Sequence, residues 1–139
     1  MNRLLPAVAI AALSASLFLS TPISAQFIPS AKKAAHVRII KGPEIELARN
    51  DLTVIRWTSS NPGGSPEHFA VVHYGTDPKD LSHTAKSHVR LNQGHSYTVF
   101  RVRLEDLQPK TTYYYKVDST NPRGSSDGVI SPLKKFTTE

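Results

Sequence analysis

Cysteine is absent from this sequence of 139 residues. The fold therefore has neither a disulfide framework nor a cysteine-ligated zinc site, and export that depends on a lipid-modified cysteine is excluded too. A domain without such cross-links relies on its apolar core for stability, and this chain is long enough to bury one as a single domain.

Long apolar runs are also scarce, and the only one is Leu4–Leu19. It follows the basic Arg3 and precedes small residues that end at Ala25. This layout is typical of a secretory signal peptide, and the run is short of the roughly 20 residues that a membrane span needs. We therefore predict a signal peptide over residues 1–25, with an uncleaved membrane anchor as the alternative.

The residues after the predicted cleavage site are small, polar and basic, so we expect a flexible leader over 26–36 and the folded domain over 37–139. Cleavage of the signal would leave no membrane span and a secreted or periplasmic product.

Acidic residues are fewer than basic ones, 11 against 17, which gives a net charge of +6. A basic surface can attract nucleic acid or other anionic polymers. The charges are scattered, however, and the only adjacent basic pairs are Lys32-Lys33 and Lys134-Lys135. We therefore interpret them as solvated faces and expect no nucleic-acid partner.

The sequence also lacks the motifs of common active sites. The six histidines show no paired ligand spacing, and we interpret them as scattered surface residues. A Gly-x-Ser-x-Gly elbow and a phosphate-binding glycine loop ending in Lys-Ser or Lys-Thr do not occur. We predict no catalytic residue, no metal site and no cofactor.

Short β-prone segments separated by turn residues fill the remainder of the chain. The predicted strands are Val37–Ile40 continuing into Glu44–Leu47, Leu52–Thr58, His68–Gly75, Thr84–Leu91, Tyr97–Leu104, Thr112–Asp118 and a last strand that ends at Phe136. About seven short strands with frequent turn signals predict an all-β, seven-stranded antiparallel sandwich of the immunoglobulin-like kind. Pro43 places the first strand at a sheet edge.

Leu107–Tyr113 carries Leu, Pro, Thr and Tyr at alternate positions. This segment resembles the tyrosine corner of fibronectin type III domains, in which the Tyr113 hydroxyl would bond to the chain just upstream. Trp57 on the second strand fits the core tryptophan of the same fold. The resemblance implies structural roles for Trp57 and Tyr113.

Four segments in order, Val54–Thr58, Val72–Thr76, Leu107–Tyr115 and Phe136–Thr138, are similar to the N-terminal domain of purple acid phosphatases. In that family the domain precedes a metallophosphoesterase domain. The Asp-x-His, Gly-Asp-x-x-Tyr and Gly-Asn-His motifs that hold its two metals do not occur here. No catalytic residue can therefore be transferred from the family.

The topology of such a sandwich would gather the loops Ser59–Glu67, Asn92–His95 and Ser119–Gly128 at one end. Together these loops offer four candidate ligand-binding residues: Asn61, His95, Asn121 and Arg123. Recognition is commonly carried by loops on a rigid scaffold. The alternative is that they are solvated turns.

Two functions follow from these observations. The first is an exported, non-catalytic module that binds a protein or polysaccharide outside the cytoplasm. The second is an accessory domain, or a fragment, of a purple acid phosphatase-like enzyme, with a phosphatase catalytic domain as its partner.

Overall fold

The computed structural model describes residues 37–91 and 94–139, and all regular structure in these residues is β. The predicted signal peptide and leader lie outside the described residues. The strands are β1 (Ile39–Ala48), β2 (Leu52–Ser60), β3 (Glu67–Gly75), β4 (His83–Arg90), β5 (Tyr97–Glu105), β6 (Thr112–Thr120) and β7 (Lys134–Thr137). In this part of the chain no helix is long and apolar enough to cross a membrane.

The strands form two antiparallel sheets that pack face to face. One sheet has the order β1-β2-β5 and the other the order β4-β3-β6-β7. The prediction of an all-β, seven-stranded antiparallel sandwich is confirmed. β1 lies at a sheet edge, as Pro43 predicted, and its pairing with β2 shifts register between Ile39 and Glu44.

Alternation along each strand separates the core from the surface. In β2 the even-numbered side chains are partly exposed, whereas Thr53, Ile55, Trp57 and Ser59 are buried. Trp57 is 1% exposed and stacks on Phe100 of β5 with ring centroids 5.2 Å apart. Because no disulfide is possible, the core cluster in which buried side chains of both sheets pack together holds the two sheets to each other.

Tyr113 anchors the turn between β5 and β6. Its hydroxyl accepts a hydrogen bond of 3.0 Å from the backbone N–H of Gln108, which is the bond that a tyrosine corner requires. Its ring stacks on Phe136 of β7, with centroids 5.7 Å apart. The neighbouring Tyr115 is buried more deeply, and burial raises its pKa to about 12.

Tyr113→Phe should lower the free energy of unfolding by about 1 kcal/mol, because it removes one hydrogen bond and leaves the ring. Tyr113→Ala and Trp57→Ala should each cost about 3–5 kcal/mol, since they also remove the buried ring. Urea unfolding measures both effects. Tyr97→Phe is the matched control, because Tyr97 is 50% exposed. Equal stability of Tyr113→Phe and the wild type would contradict this role of the hydroxyl.

Candidate functional site

Three connecting segments meet at one end of the sandwich, where β2, β5 and β6 reach their loops. The segment after β2 is tied to the one before β5 by Asn61, whose N–H donates to the Ser96 carbonyl at 2.9 Å. The Asn61 side chain also donates to the His95 carbonyl through Nδ2, at 2.8 Å. Asn92 and Gln93 of the second predicted loop lie outside the described residues.

A cleft of about 330 Å³ opens between the first and the third of these segments. One wall is formed by Gly63, Gly64 and Ser65, and the other by Asn121, Pro122 and Arg123. His68 and Asp127 also line the cleft and lie beneath both walls. The cleft therefore has a backbone-rich wall, a wall with a cation, and a titratable pair at its base.

His68 and Asp127 form a buried pair that connects β3 to the third loop. Nδ1 of His68 lies 2.6 Å from Oδ2 of Asp127, and the two side chains are 2% and 9% exposed. Nε2 of His68 lies 2.9 Å from the Ser65 carbonyl oxygen. The ring thus bonds to one wall of the cleft and to the loop that forms the other.

The partners of His68 define its hydrogen positions. A carbonyl oxygen only accepts, so Nε2 must donate to Ser65. Nδ1 of His68 then forms the second hydrogen bond of the ring, with Oδ2 of Asp127. The pair is held by a strong, short hydrogen bond in the protein interior.

The hydrogen bonds among Ser119, His68 and Asp127 are arranged in a way that cannot support nucleophilic catalysis. The Ser119 hydroxyl donates to Oδ2 of Asp127 at 3.0 Å, not to the imidazole. Nε2 of His68, the nitrogen that would accept a proton from a nucleophile, is occupied by a carbonyl. Ser119 is also fully buried. The arrangement positions loops and activates no nucleophile.

Two of the four predicted binding residues stabilise the loops that contain them. Oδ1 of Asn121 accepts the backbone N–H groups of Arg123 at 2.9 Å and Ser125 at 3.1 Å. Oδ1 of Asn61 accepts the N–H of Gly63 at 3.2 Å. These are Asx-type turns, in which a short side chain replaces a backbone partner.

The other two predicted residues differ in position. Arg123 is exposed and lines the cleft, and its guanidinium makes no hydrogen bond or ion pair with any residue in 37–91 or 94–139. His95 is exposed beside Tyr97 and does not line the cleft. Asn121 and Arg123 are therefore brought together, while Asn61 and His95 form a contact next to them. A ligand-binding role for these four residues stays a prediction.

The interpretation of the histidines as scattered surface residues is wrong for His68. The alternation of β3 places it on the same side as Ala70 and Val72, both fully buried. An inward histidine needs a polar partner, and that partner is distant in sequence. His73 faces outward opposite Lys116, and His36 lies outside the described residues.

Comparison with known proteins identifies the relatives of this chain. Residues 43–138 match the sequence family described as purple acid phosphatase, N-terminal domain. The sensor domain of the anti-sigma factor RsgI4 in Pseudobacteroides cellulosolvens aligns with 76% of this chain and 96% of that chain, at 19% identity and a TM-score of 0.51. The FN5 domain of Drosophila Lar aligns with 73% and 94%, at 16% identity and a TM-score of 0.42. At 19% identity the likeness to the RsgI4 sensor domain concerns the fold alone.

Asp127→Asn and His68→Gln should each lower the free energy of unfolding by about 3–5 kcal/mol, because the introduced amide is uncharged and leaves the other member of the buried pair without its ion-pair partner. Chemical denaturation of both single variants and of the double variant measures the coupling. The double variant should cost less than the sum of the two.

Asp51→Asn is the matched control, because Asp51 also forms an ion pair, with Arg49 at 2.7 Å, but is 57% exposed. An exposed pair contributes at most about 1 kcal/mol. If Asp127→Asn were as mild as Asp51→Asn, the buried pair would not be what holds the loops.

Proposed function

Because the chain belongs to the purple acid phosphatase N-terminal domain family, we propose that it is an exported, non-catalytic module that binds a ligand through the cleft at the end of the sandwich. The observation that carries this proposal is the cleft itself. Both of its walls are fixed by hydrogen bonds within the protein, and one wall ends in the guanidinium of Arg123, which has no partner among the described residues.

Preorganised walls favour binding, because loops that are already ordered lose little conformational entropy when a ligand arrives. The Ser65 side of the cleft is held by His68, and the Asn121 side by its own side-chain hydrogen bonds. These contacts would keep Arg123 in reach of a bound group. Hydrogen bonds that order the loops before a ligand binds are thus consistent with a recognition surface.

The size and charge of the cleft limit the ligand. A volume of about 330 Å³ is at the lower end of the range for small-molecule sites. It suits one sugar residue of a polysaccharide, or one side chain of a protein partner, outside the cytoplasm. An arginine fork pairs best with a carboxylate or another planar anion.

The family match favours a second candidate, in which the domain is an accessory part of a metallophosphoesterase. The metal-binding motifs of that enzyme class do not occur in this sequence. In this case the domain would act by docking on a catalytic domain or by positioning its substrate.

Arg123→Ala should weaken ligand binding by about tenfold or more, since it removes a charge-assisted hydrogen bond. The probes are cello-, xylo-, chito- and galacturono-oligosaccharides, added to the isotope-labelled chain while amide chemical shifts are recorded. Shifts should concentrate at Gly63–Ser65 and Asn121–Ser125.

Arg103→Ala is the matched control, because Arg103 is an exposed arginine of β5, away from the cleft. If Arg123→Ala and Arg103→Ala bound an oligosaccharide equally well, the cleft would not be the binding site. Asn121→Ala is unsuitable for this test, because it would also release the backbone of the loop.

The intact mass of the native exported product separates the two candidates. The full sequence has a mass of 15.3 kDa, so loss of residues 1–25 should leave a species of roughly 12–13 kDa. We expect this species in the exported fraction, without phosphatase activity on p-nitrophenyl phosphate in the presence of divalent metals. A much larger species that cleaves the ester would support the accessory-domain function instead.

A further inference from the structure

The outer face of the four-stranded sheet carries a group of lysines that the sequence does not reveal as a group. Val72 and Val117 are paired and fully buried, so their chain neighbours point to the opposite side of the sheet. On this side lie Lys86 of β4, Lys116 of β6 and Lys135 of β7. We call this surface the lysine face.

Strand register arranges the three lysines in a diagonal line. Lys86 is paired with Val71 of β3. Lys116 is paired with His73, two residues further along β3. Lys135 is paired with Tyr114, which lies a further two residues along in the same direction. From ordinary strand spacings, successive lysine Cα atoms are about 12 Å and about 8 Å apart. The charges therefore extend over about 20 Å and do not converge on a point.

These lysines have no counter-ions in the described part of the chain, where no carboxylate lies within 4.0 Å of their amines. All three are exposed. The face carries two carboxylates of its own, Asp118 and Glu67, and in the described residues only Glu67 has cationic partners. Asp118 accepts the Ser126 hydroxyl at 2.8 Å, and Glu67 pairs with His88 and Arg90.

The outer face of the other sheet is different, because two of its arginines are paired with carboxylates. Arg101 bonds to both carboxylate oxygens of Glu46, at 3.0 and 3.3 Å, and Arg56 lies 2.9 Å from Glu44. The hydrogen bond from Arg101 lowers the pKa of Glu46. Within residues 37–91 and 94–139, Arg56 and Arg101 of one sheet thus have carboxylate partners, whereas Arg103 of that sheet and the three lysines of the other sheet have none.

Protection of sheet edges explains only part of the lysine face. Exposed lysines on edge strands prevent pairing with another chain, and β4 and β7 are both edge strands. Lys116 lies on β6, which is paired on both sides. Its position in the middle of the sheet serves no such purpose.

We propose that the lysine face binds a linear anionic polysaccharide that carries carboxylate or sulfate groups. A line of separate, flexible cations matches a polymer with repeated charges better than a compact anion, which would need converging donors. Apolar and aromatic groups lie among the lysines: Tyr114 is half-buried beside Lys135, and Ile130, 63% exposed, lines a shallow depression with Lys116 and the acidic Asp118. Sugar rings can pack on such groups.

The test compares two triple variants with the same change in charge. One is Lys86→Gln, Lys116→Gln and Lys135→Gln on the lysine face. The other is Arg38→Gln, Lys41→Gln and Lys110→Gln, which are exposed residues away from that face. Binding of polygalacturonate and dextran sulfate is titrated over a range of salt concentrations, with neutral dextran and oligo(dT) as further probes.

We expect the lysine-face variant to lose about tenfold or more in affinity for at least one of the two anionic polysaccharides. The slope of log Kd against log salt should fall by about one for each lysine removed. The control variant should bind nearly as the wild type does. All six substitutions are on exposed side chains, so melting temperatures should be similar.

Three results would overturn the proposal. Equal losses in the two triple variants would mean that only net charge matters. Binding of neither anionic polysaccharide by the wild type would exclude the ligand class. Binding of oligo(dT) more tightly than either polysaccharide would assign the face to nucleic acid.

Discussion

The contact between the two sheets is the constraint on which the rest of the molecule depends. Trp57 and Phe100 of one sheet stack on each other, and they share one core cluster with Tyr115 and Val117 of the other sheet. Without cysteine, nothing covalent replaces this contact. Apolar side chains of each strand must point into the core, and successive side chains point to opposite faces of a sheet. The core-facing residues therefore determine which residues of the strand face the solvent. The lysine face and the paired arginines of the opposite sheet are consequences of that single requirement.

Buried polar side chains lie near the ends of the strands, at the border of the apolar core. Ser59, Thr98, His68 and Ser119 occupy inward positions near the ends of their strands and are all buried. Of these, His68 and Ser119 converge on Asp127 and so connect the core to the third loop. A buried pair of this kind is a weak source of net stability but fixes a specific arrangement. Here the arrangement it fixes is the distance between the two walls of the cleft.

Sequence reasoning succeeded where the determining contacts are local. The alternation around Trp57 and the turn chemistry before Tyr113 are readable within a few residues, and they led to the sandwich and its corner. His68 and Asp127 are 59 positions apart in the sequence, so the sequence does not indicate that they pair. The only indication was that the alternation of β3 places His68 on the buried side of the strand. The lysine diagonal depends on the register of four strands at once. Basic residues that look scattered along a chain can therefore be neighbours across a sheet.

The two proposed surfaces share the four-stranded sheet and lie next to one another. A shallow groove of about 310 Å³ is lined by Phe69, Lys86 and Thr120 on the outer face and by Asn121, Pro122 and Gly124 of the loop. Lys86, the first residue of the diagonal, therefore lies beside the loop that forms one wall of the cleft. A polymer chain on the lysine face could present one residue to that cleft without bending around the domain. The flat face would then supply charge-dependent affinity, and the preorganised cleft would supply selectivity for the residue it holds.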